Sequence, residues 1–247
     1  MRLRMLFVML LCCAAQTSAT QQSSVVPFVG CASDGQVGPL PAPEGKPLKL
    51  PIPQDVADRL AYYKAENGSG VLGPRGWHCF GVYGSSGGSL FVTPETIDSK
   101  QFFDSKAGWK GFRGDVIQIS DSIGDTSGRF SVAMVIARVF PKHKKFVEGV
   151  IAEGLEPASD FPFGPYPADK LHYRSDALVE YETPANAEGL GTRSWLLANG
   201  QSIRGVEMLT GETPDLVSLA VRIPAALNDL VNVIVQQTEA DVAKAVE

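Results

Sequence analysis

The pattern of hydrophobic and polar positions predicts short strands in the middle and in the last third of the chain. Residues 77–83 and 89–93 are strand-like runs joined by the glycine-rich segment 84–88, which is typical of a β-hairpin. Residues 116–120 form another strand candidate. Four more strands are predicted at residues 177–182, 194–198, 203–209 and 216–222. Asn199-Gly200 predicts a tight hairpin between the second and third of these four strands.

Helical periodicity predicts a first helix at residues 54–64, where Val56, Leu60 and Tyr63 recur at positions i, i+4 and i+7. Asn67-Gly68-Ser69-Gly70 ends this pattern and also contains a sequon for N-glycosylation at Asn67.

Three further helices are predicted. Residues 130–140 fit strand and helix periods alike, but Thr126 or Ser127 as a cap and Pro141 as a stop favour a helix. Residues 144–153 carry one apolar face. The last helix begins at Pro224, where the missing N–H is harmless.

These elements predict an α+β fold, with a mainly antiparallel sheet packed by helices and a C-terminal meander followed by a helix. We expect three regions along the chain. They are a signal peptide at 1–19, a proline-rich N-terminal extension at 20–53 and a single α+β domain at 54–247.

The first residues predict export. Arg2 and Arg4 precede an apolar run at 5–15, and small residues end at Ala19, which suits cleavage by a signal peptidase. The alternative is a buried N-terminal helix. The run is too short to cross a membrane of about 30 Å, and no later segment is apolar and long enough to do so. We therefore expect a periplasmic or extracellular protein without a membrane span in the mature chain.

Charge argues against a nucleic-acid partner. Removing residues 1–19 takes two of the 22 basic side chains, which leaves 20 against 27 acidic ones and a net charge of −7. Binding of phosphate backbones requires concentrated lysine and arginine, and the mature chain is acidic.

The mature chain keeps two cysteines, Cys31 and Cys79, and an oxidising compartment favours a disulfide between them. Such a bond ties the proline-rich segment to the strand that carries Cys79. The rival interpretation is a reactive or metal-binding Cys79 beside His78. Neighbouring residues of a strand point to opposite faces, so His78 is poorly placed to activate that thiol.

The segment Gly84-Ser85-Ser86-Gly87-Gly88 matches the G-x-S-x-G pattern of serine hydrolases, which makes Ser86 a candidate nucleophile. That motif requires a helix after the serine, whereas the residues that follow are strand-like. The chain has three histidines, at 78, 143 and 172, and none near its C-terminus, where that family carries its base. A hairpin turn explains the same five residues, so the hydrolase is the alternative hypothesis.

No further set of residues predicts a catalytic site, a cofactor or a metal centre, because the histidines lack ligand spacing and there is no Cys-x-x-Cys. Arg75, Trp77 and His78 form a candidate binding edge, since arginine and tryptophan are common interface anchors. The alternative is structural, with Trp77 in the core and Arg75 paired with an acid.

The segments VPFVGCASDGQVGPLPAP and GVLGPRGWHCFGVYGSSGGSLFVTP cover 43 of the 247 residues, about a sixth of the chain. Together they resemble a family of uncharacterised exported bacterial proteins, which implies export and a paired Cys31 and Cys79 but no activity. The layout of the elements is similar to the Mog1/PsbP-like sandwich, whose members are mostly binding or assembly factors. We therefore expect a non-catalytic binding or envelope-associated factor, with an unknown protein or small ligand as its partner.

Overall fold

A large, mixed β-sheet dominates the computed structural model, which describes residues 23–104, 108–193 and 195–246. The strands are β1 (Ser24–Val26), β2 (Phe28–Gly30), β3 (Ser33–Gly35), β4 (Leu48–Leu50), β5 (Leu60–Lys64), β6 (Val71–Pro74), β7 (His78–Gly84), β8 (Gly87–Thr93), β9 (Val116–Ser122), β10 (Lys170–Tyr173), β11 (Leu178–Thr183), β12 (Ile203–Thr210) and β13 (Asp215–Arg222).

The helices are few and mostly short. They are α1 (Gln54–Ala57), α2 (Ser99–Phe103), α3 (Arg129–Val139), α4 (Lys144–Ala152) and α5 (Val231–Val246), with short 3-10 turns between elements. None of the helices in the described ranges is long and apolar enough to cross a membrane.

Eight strands form the large sheet in the order β10-β11-β12-β13-β9-β8-β7-β3. All neighbours are antiparallel except β3, which runs parallel to β7. A three-stranded sheet has the order β2-β5-β6, and β1 pairs with β4.

Each face of the large sheet has its own core, because successive residues of a strand point to opposite sides. On β13, Leu219 and Val221 pack with α5 and with the two small sheets. Leu216 and Ala220 of the same strand pack on the other side, with α3 and α4. The sheet is therefore the middle layer of the molecule.

The prediction of an α+β fold is wrong, because the protein is mostly β. The segment expected to be an extension, residues 20–53, is described from residue 23 and contributes β1 to β4, two of which pair with β5 and β7 of the remaining chain. Strands of three residues carry too little periodicity to be detected in a sequence, so the sheet content was underestimated.

The predicted helix at 54–64 is also wrong. Only α1 is helical, and Leu60–Lys64 is β5, a strand with partners on both sides. Tyr62 and Tyr63 favour a strand, and pairing to β2 and β6 satisfies the backbone hydrogen bonds that a helix would have made.

A third error concerns residues 194–202. Residues 195–198 form no strand and make one bridge, between Leu196 and Phe112, while Ser194 lies outside the described residues. Asn199-Gly200 is not a hairpin, since β11 pairs directly with β12. The edge strand β10 was not predicted.

The remaining elements are confirmed, and they include the β7–β8 hairpin, β9, β12, β13, α3 and α4. The strand predicted at 177–182 is β11, and the C-terminal helix follows a 3-10 turn that Pro224 precedes. The N-terminus of α3 differs in detail, because the cap position is Gly128, whose N–H donates to Thr126 Oγ1 at 3.1 Å.

The disulfide between Cys31 and Cys79 is present. Cys31 is buried between β2 and β3, and Cys79 lies in β7, so the bond fixes the N-terminal segment against the large sheet. A disulfide is compatible with export. The predicted signal peptide at 1–19 lies outside the described residues.

Candidate functional site

A cleft of about 460 Å³ opens on the α3 side of the large sheet. Its floor is formed by the central strands from β7 to β13 in sheet order, with β12 and β11 beyond them. Its walls come from the start of α3 and from Leu190, Gly191, Arg193 and Trp195. Small-molecule sites in proteins are typically concavities of this size.

A row of polar side chains crosses the floor of this cleft on four adjacent strands. The register places Ser89 of β8 opposite Ser120 of β9, Ser120 opposite Ser218 of β13, and Ser218 opposite Glu207 of β12. The Oγ atoms of Ser89 and Ser120 are 2.7 Å apart. The Ser218 hydroxyl donates to Glu207 Oε2. These four residues, Ser89, Ser120, Ser218 and Glu207, form the polar row of the cleft.

Strand alternation explains why these side chains face the cleft. In β12, Val206 and Met208 belong to the core on the α5 side, so Glu207 between them points to the other side. In β9, Ile117 and Ile119 pack on the α5 side in the same way, and the residues between and after them face α3.

Gln118 joins the polar row to the wall of the cleft. Its Nε2 donates to Ser120 Oγ at 2.8 Å, and its Oε1 accepts from the backbone N–H of Trp195 at 3.4 Å. Gln118 is buried, so both ends of its amide are held in place.

Glu207 is the most perturbed acid in the cleft. The residue is 3% exposed, and this burial raises the pKa of its carboxyl to about 7. The hydrogen bond from Ser218 and the charge of Arg193 act in the opposite direction, and the charge of Asp169 adds to the rise. Near neutral pH, Glu207 therefore exists in both protonation states, as a donor and as an acceptor.

An aromatic wall closes one end of the cleft. Trp195 lines the cavity and stacks on Trp109, with 5.1 Å between ring centroids, and Phe102 meets Trp195 edge-on at 5.9 Å. Phe103 also lines the cleft and is 57% exposed.

Arg222 holds the segment that carries Trp195. Its buried guanidinium donates to the carbonyl oxygens of Leu197 at 2.6 Å and Phe112 at 2.8 Å, and also to that of Gly114. Burial lowers the pKa of Arg222, but the surrounding carbonyls satisfy its donors. The wall is thus tied to the end of β13.

Ser86 lies at the rim of the same cleft, in the two-residue turn between β7 and β8. A strand follows it, as the turn interpretation expected, and not the helix of a nucleophile elbow. None of the three histidines lines the cleft as the described residues form it. His78 opens β7, His143 lies beside Phe140, and His172 of β10 lies 3.9 Å from Glu180.

The three residues of the candidate binding edge, Arg75, Trp77 and His78, differ in their burial and in their contacts. The Arg75 guanidinium donates to the carbonyls of Ala57 and Leu60, at 3.1 and 3.3 Å. Trp77 is partly buried against the core on the α5 side, and His78 is exposed. Arg75 thus has an internal role, at the end of α1, while the function of this edge stays a prediction.

Among the described residues, no group of three or more histidine, cysteine or acidic side chains is arranged to hold a metal ion. Comparison with family models, curated proteins and solved structures gives no match for this chain. Its function must therefore be argued from the site, and the resemblance to exported proteins stays a prediction.

The sequence reasoning missed the residues of the polar row. They lie far apart in the chain, and only the strand register brings them together. The sequence holds one signal: Gln118 lies between Ile117 and Ile119, and Glu207 lies between Val206 and Met208, so each interrupts an apolar stretch of its strand. A polar residue at a buried strand position costs stability, so it indicates a functional site.

Proposed function

We propose that the protein is an exported, non-catalytic binding protein whose cleft holds a small polar ligand. The observation that carries this proposal is the polar row on the floor of a 460 Å³ cavity. The same face of the sheet is packed with apolar side chains on both sides of the cleft.

Burying a carboxyl raises the free energy of the folded state, and serines and a glutamine contribute little to core packing. Filling the same space with apolar side chains would stabilise the fold. Glu207 and Gln118, both 3% exposed, therefore support a role in recognition.

Export to the periplasm or the extracellular space is part of the proposal. The disulfide and the N-terminal sequence pattern support it, since structural disulfides persist in oxidising compartments.

The test is a screen of small polar fragments, both neutral and charged, by differential scanning fluorimetry on the mature protein. We expect fragments that raise the melting temperature of the wild type but not that of Ser131→Phe. Ser131 lies in the first turn of α3 and lines the cleft, so a phenylalanine there fills the cavity. Ser159→Phe makes the same change at an exposed position and serves as the control.

Equal responses of the wild type, Ser131→Phe and Ser159→Phe would place fragment binding outside the cleft and overturn the proposal. A panel without any stabilising fragment would do the same.

The serine hydrolase is a second candidate, favoured by one observation, the position of Ser86 at the rim of the cleft. Loss of ester hydrolysis in Ser86→Ala, on a substrate that the wild type cleaves, would replace our proposal with this one.

A further inference from the structure

If the cleft is a binding site, the polar and charged side chains that line it restrict the chemical class of its ligand. Seven of the residues that line it are serines, and its charged side chains are Arg193 and Glu207, whereas the Asp121 carboxylate accepts from Ser69 on the other face of the sheet. A hydroxyl both donates and accepts hydrogen bonds. A cavity whose polar side chains are mainly hydroxyls therefore suits a ligand whose own polar groups are hydroxyls.

The cleft contains charged side chains of both signs. A cationic ligand would face Arg193, and an anionic ligand would face Glu207. Arg193 and Glu207 also interact with one another electrostatically, so neither is a free anchor for a charged group. A neutral ligand meets no uncompensated charge of either sign.

The aromatic wall adds a second recognition element. Trp195 lines the cleft and is only partly buried, and stacking on Trp109 fixes the plane of its ring. A sugar ring combines an apolar C–H face with a rim of hydroxyls. Its C–H face would pack on the indole, while its rim would reach the floor beside it.

Gln118 connects the aromatic wall of the cleft to the polar row on its floor. Its amide links the backbone of Trp195 to the Ser120 hydroxyl, so the flat wall and the polar floor meet at one residue. A ligand at that corner touches an aromatic surface and hydrogen-bonding groups simultaneously.

We propose that the cleft binds a neutral carbohydrate, with the C–H face of one sugar unit on Trp195 and its hydroxyls on the polar row. This inference rests on the proposed binding function. It names a class, neutral sugars, and assigns Trp195 the role of stacking platform.

The experiment is a fluorescence titration of the mature protein, which holds two tryptophans, Trp109 and Trp195, at the cleft end and one, Trp77, against the other core. The probes are neutral gluco-, galacto-, manno- and N-acetylglucosamine oligosaccharides, with glucuronate and glucosamine as charged counterparts. We expect saturable binding of at least one neutral probe and weaker binding of both charged ones.

Two variants locate the site. Trp195→Leu should raise the dissociation constant about tenfold, because it removes an aromatic stacking partner, and Trp77→Leu should leave it unchanged. If Trp195→Leu does not fold, Ser131→Phe gives the same test by filling the cleft.

The outcomes separate the two proposals. Fragments that occupy the cleft, with no neutral sugar bound, would overturn the carbohydrate inference and leave the binding function standing. Sugar binding that persists in Trp195→Leu and in Ser131→Phe would also overturn the inference, because the sugar would then bind elsewhere. Absence of both fragment and sugar binding would overturn both proposals.

Discussion

Replacing Glu207 by glutamine should stabilise the protein at alkaline pH and change little at acidic pH. The carboxyl has a pKa of about 7 in the folded protein, because it is buried, against an ordinary value of 4.5 for a glutamate. A raised pKa means that the folded state binds the proton more tightly than the unfolded state. The contribution of Glu207 to stability is thus fully present below pH 4.5 and is lost as the pH rises through 7.

The magnitude follows from the gap between the two pKa values. At 1.36 kcal/mol for each pKa unit, ionisation of Glu207 costs about 3 kcal/mol above pH 7. Glutamine has the shape of the protonated acid, still accepts from Ser218 and does not ionise. It should therefore remove most of this cost at pH 8.

The assay is urea denaturation of the wild type and Glu207→Gln at pH 5 and pH 8. Comparing the two proteins isolates Glu207 from Asp169, Glu239 and Asp241, whose pKa values burial also raises. Glu148→Gln on the exposed face of α4 is the matched control. An advantage of Glu207→Gln that is equal at both pH values, or absent at pH 8, would refute the reasoning.

Three further predictions concern the disulfide, the wall of the cleft and the hairpin turn. A Cys31→Ala/Cys79→Ala double variant should lose about 4 kcal/mol of unfolding free energy in urea, because the bond closes a 48-residue loop; an unchanged urea midpoint would contradict this. Arg222→Met should cost about 3 kcal/mol, since it removes the hydrogen bonds that the buried guanidinium donates to the carbonyls of Leu197 and Gly114, and calorimetry that shows wild-type stability would argue against that role. Ser86→Ala should leave fragment binding intact, because a turn residue at the rim contributes little; a large loss in calorimetric titration would point to Ser86 as part of the site.

Parts of the fold could be predicted because local signals and tertiary pairing agree there. The β7–β8 hairpin has a glycine-rich turn between two strand-like runs, and α3 ends at a proline. Residues 54–64 show the opposite case, since their apolar spacing fits a helix while pairing with two neighbouring strands makes Leu60–Lys64 a strand. Tertiary context decides such segments, and a single sequence does not contain it.

The candidate site was beyond the reach of sequence reasoning for a related reason. Ser89, Ser120, Ser218 and Glu207 meet because β9 lies between β8 and β13, an order that local patterns do not specify. The G-x-S-x-G pattern indicates Ser86 instead, and Ser86 lies only at the rim of the same cleft. The disulfide between Cys31 and Cys79 could be predicted, because an exported chain with two cysteines is expected to pair them.

The central claim, that this cleft is the binding site, is tested most directly by mapping fragment binding with ¹⁵N–¹H correlation spectra of the mature protein. The account predicts chemical-shift changes concentrated on the amides of the polar row and of Trp195, with loss of these changes in Ser131→Phe. Shift changes centred on Arg75, Trp77 and His78 would contradict it and place the binding surface at that edge.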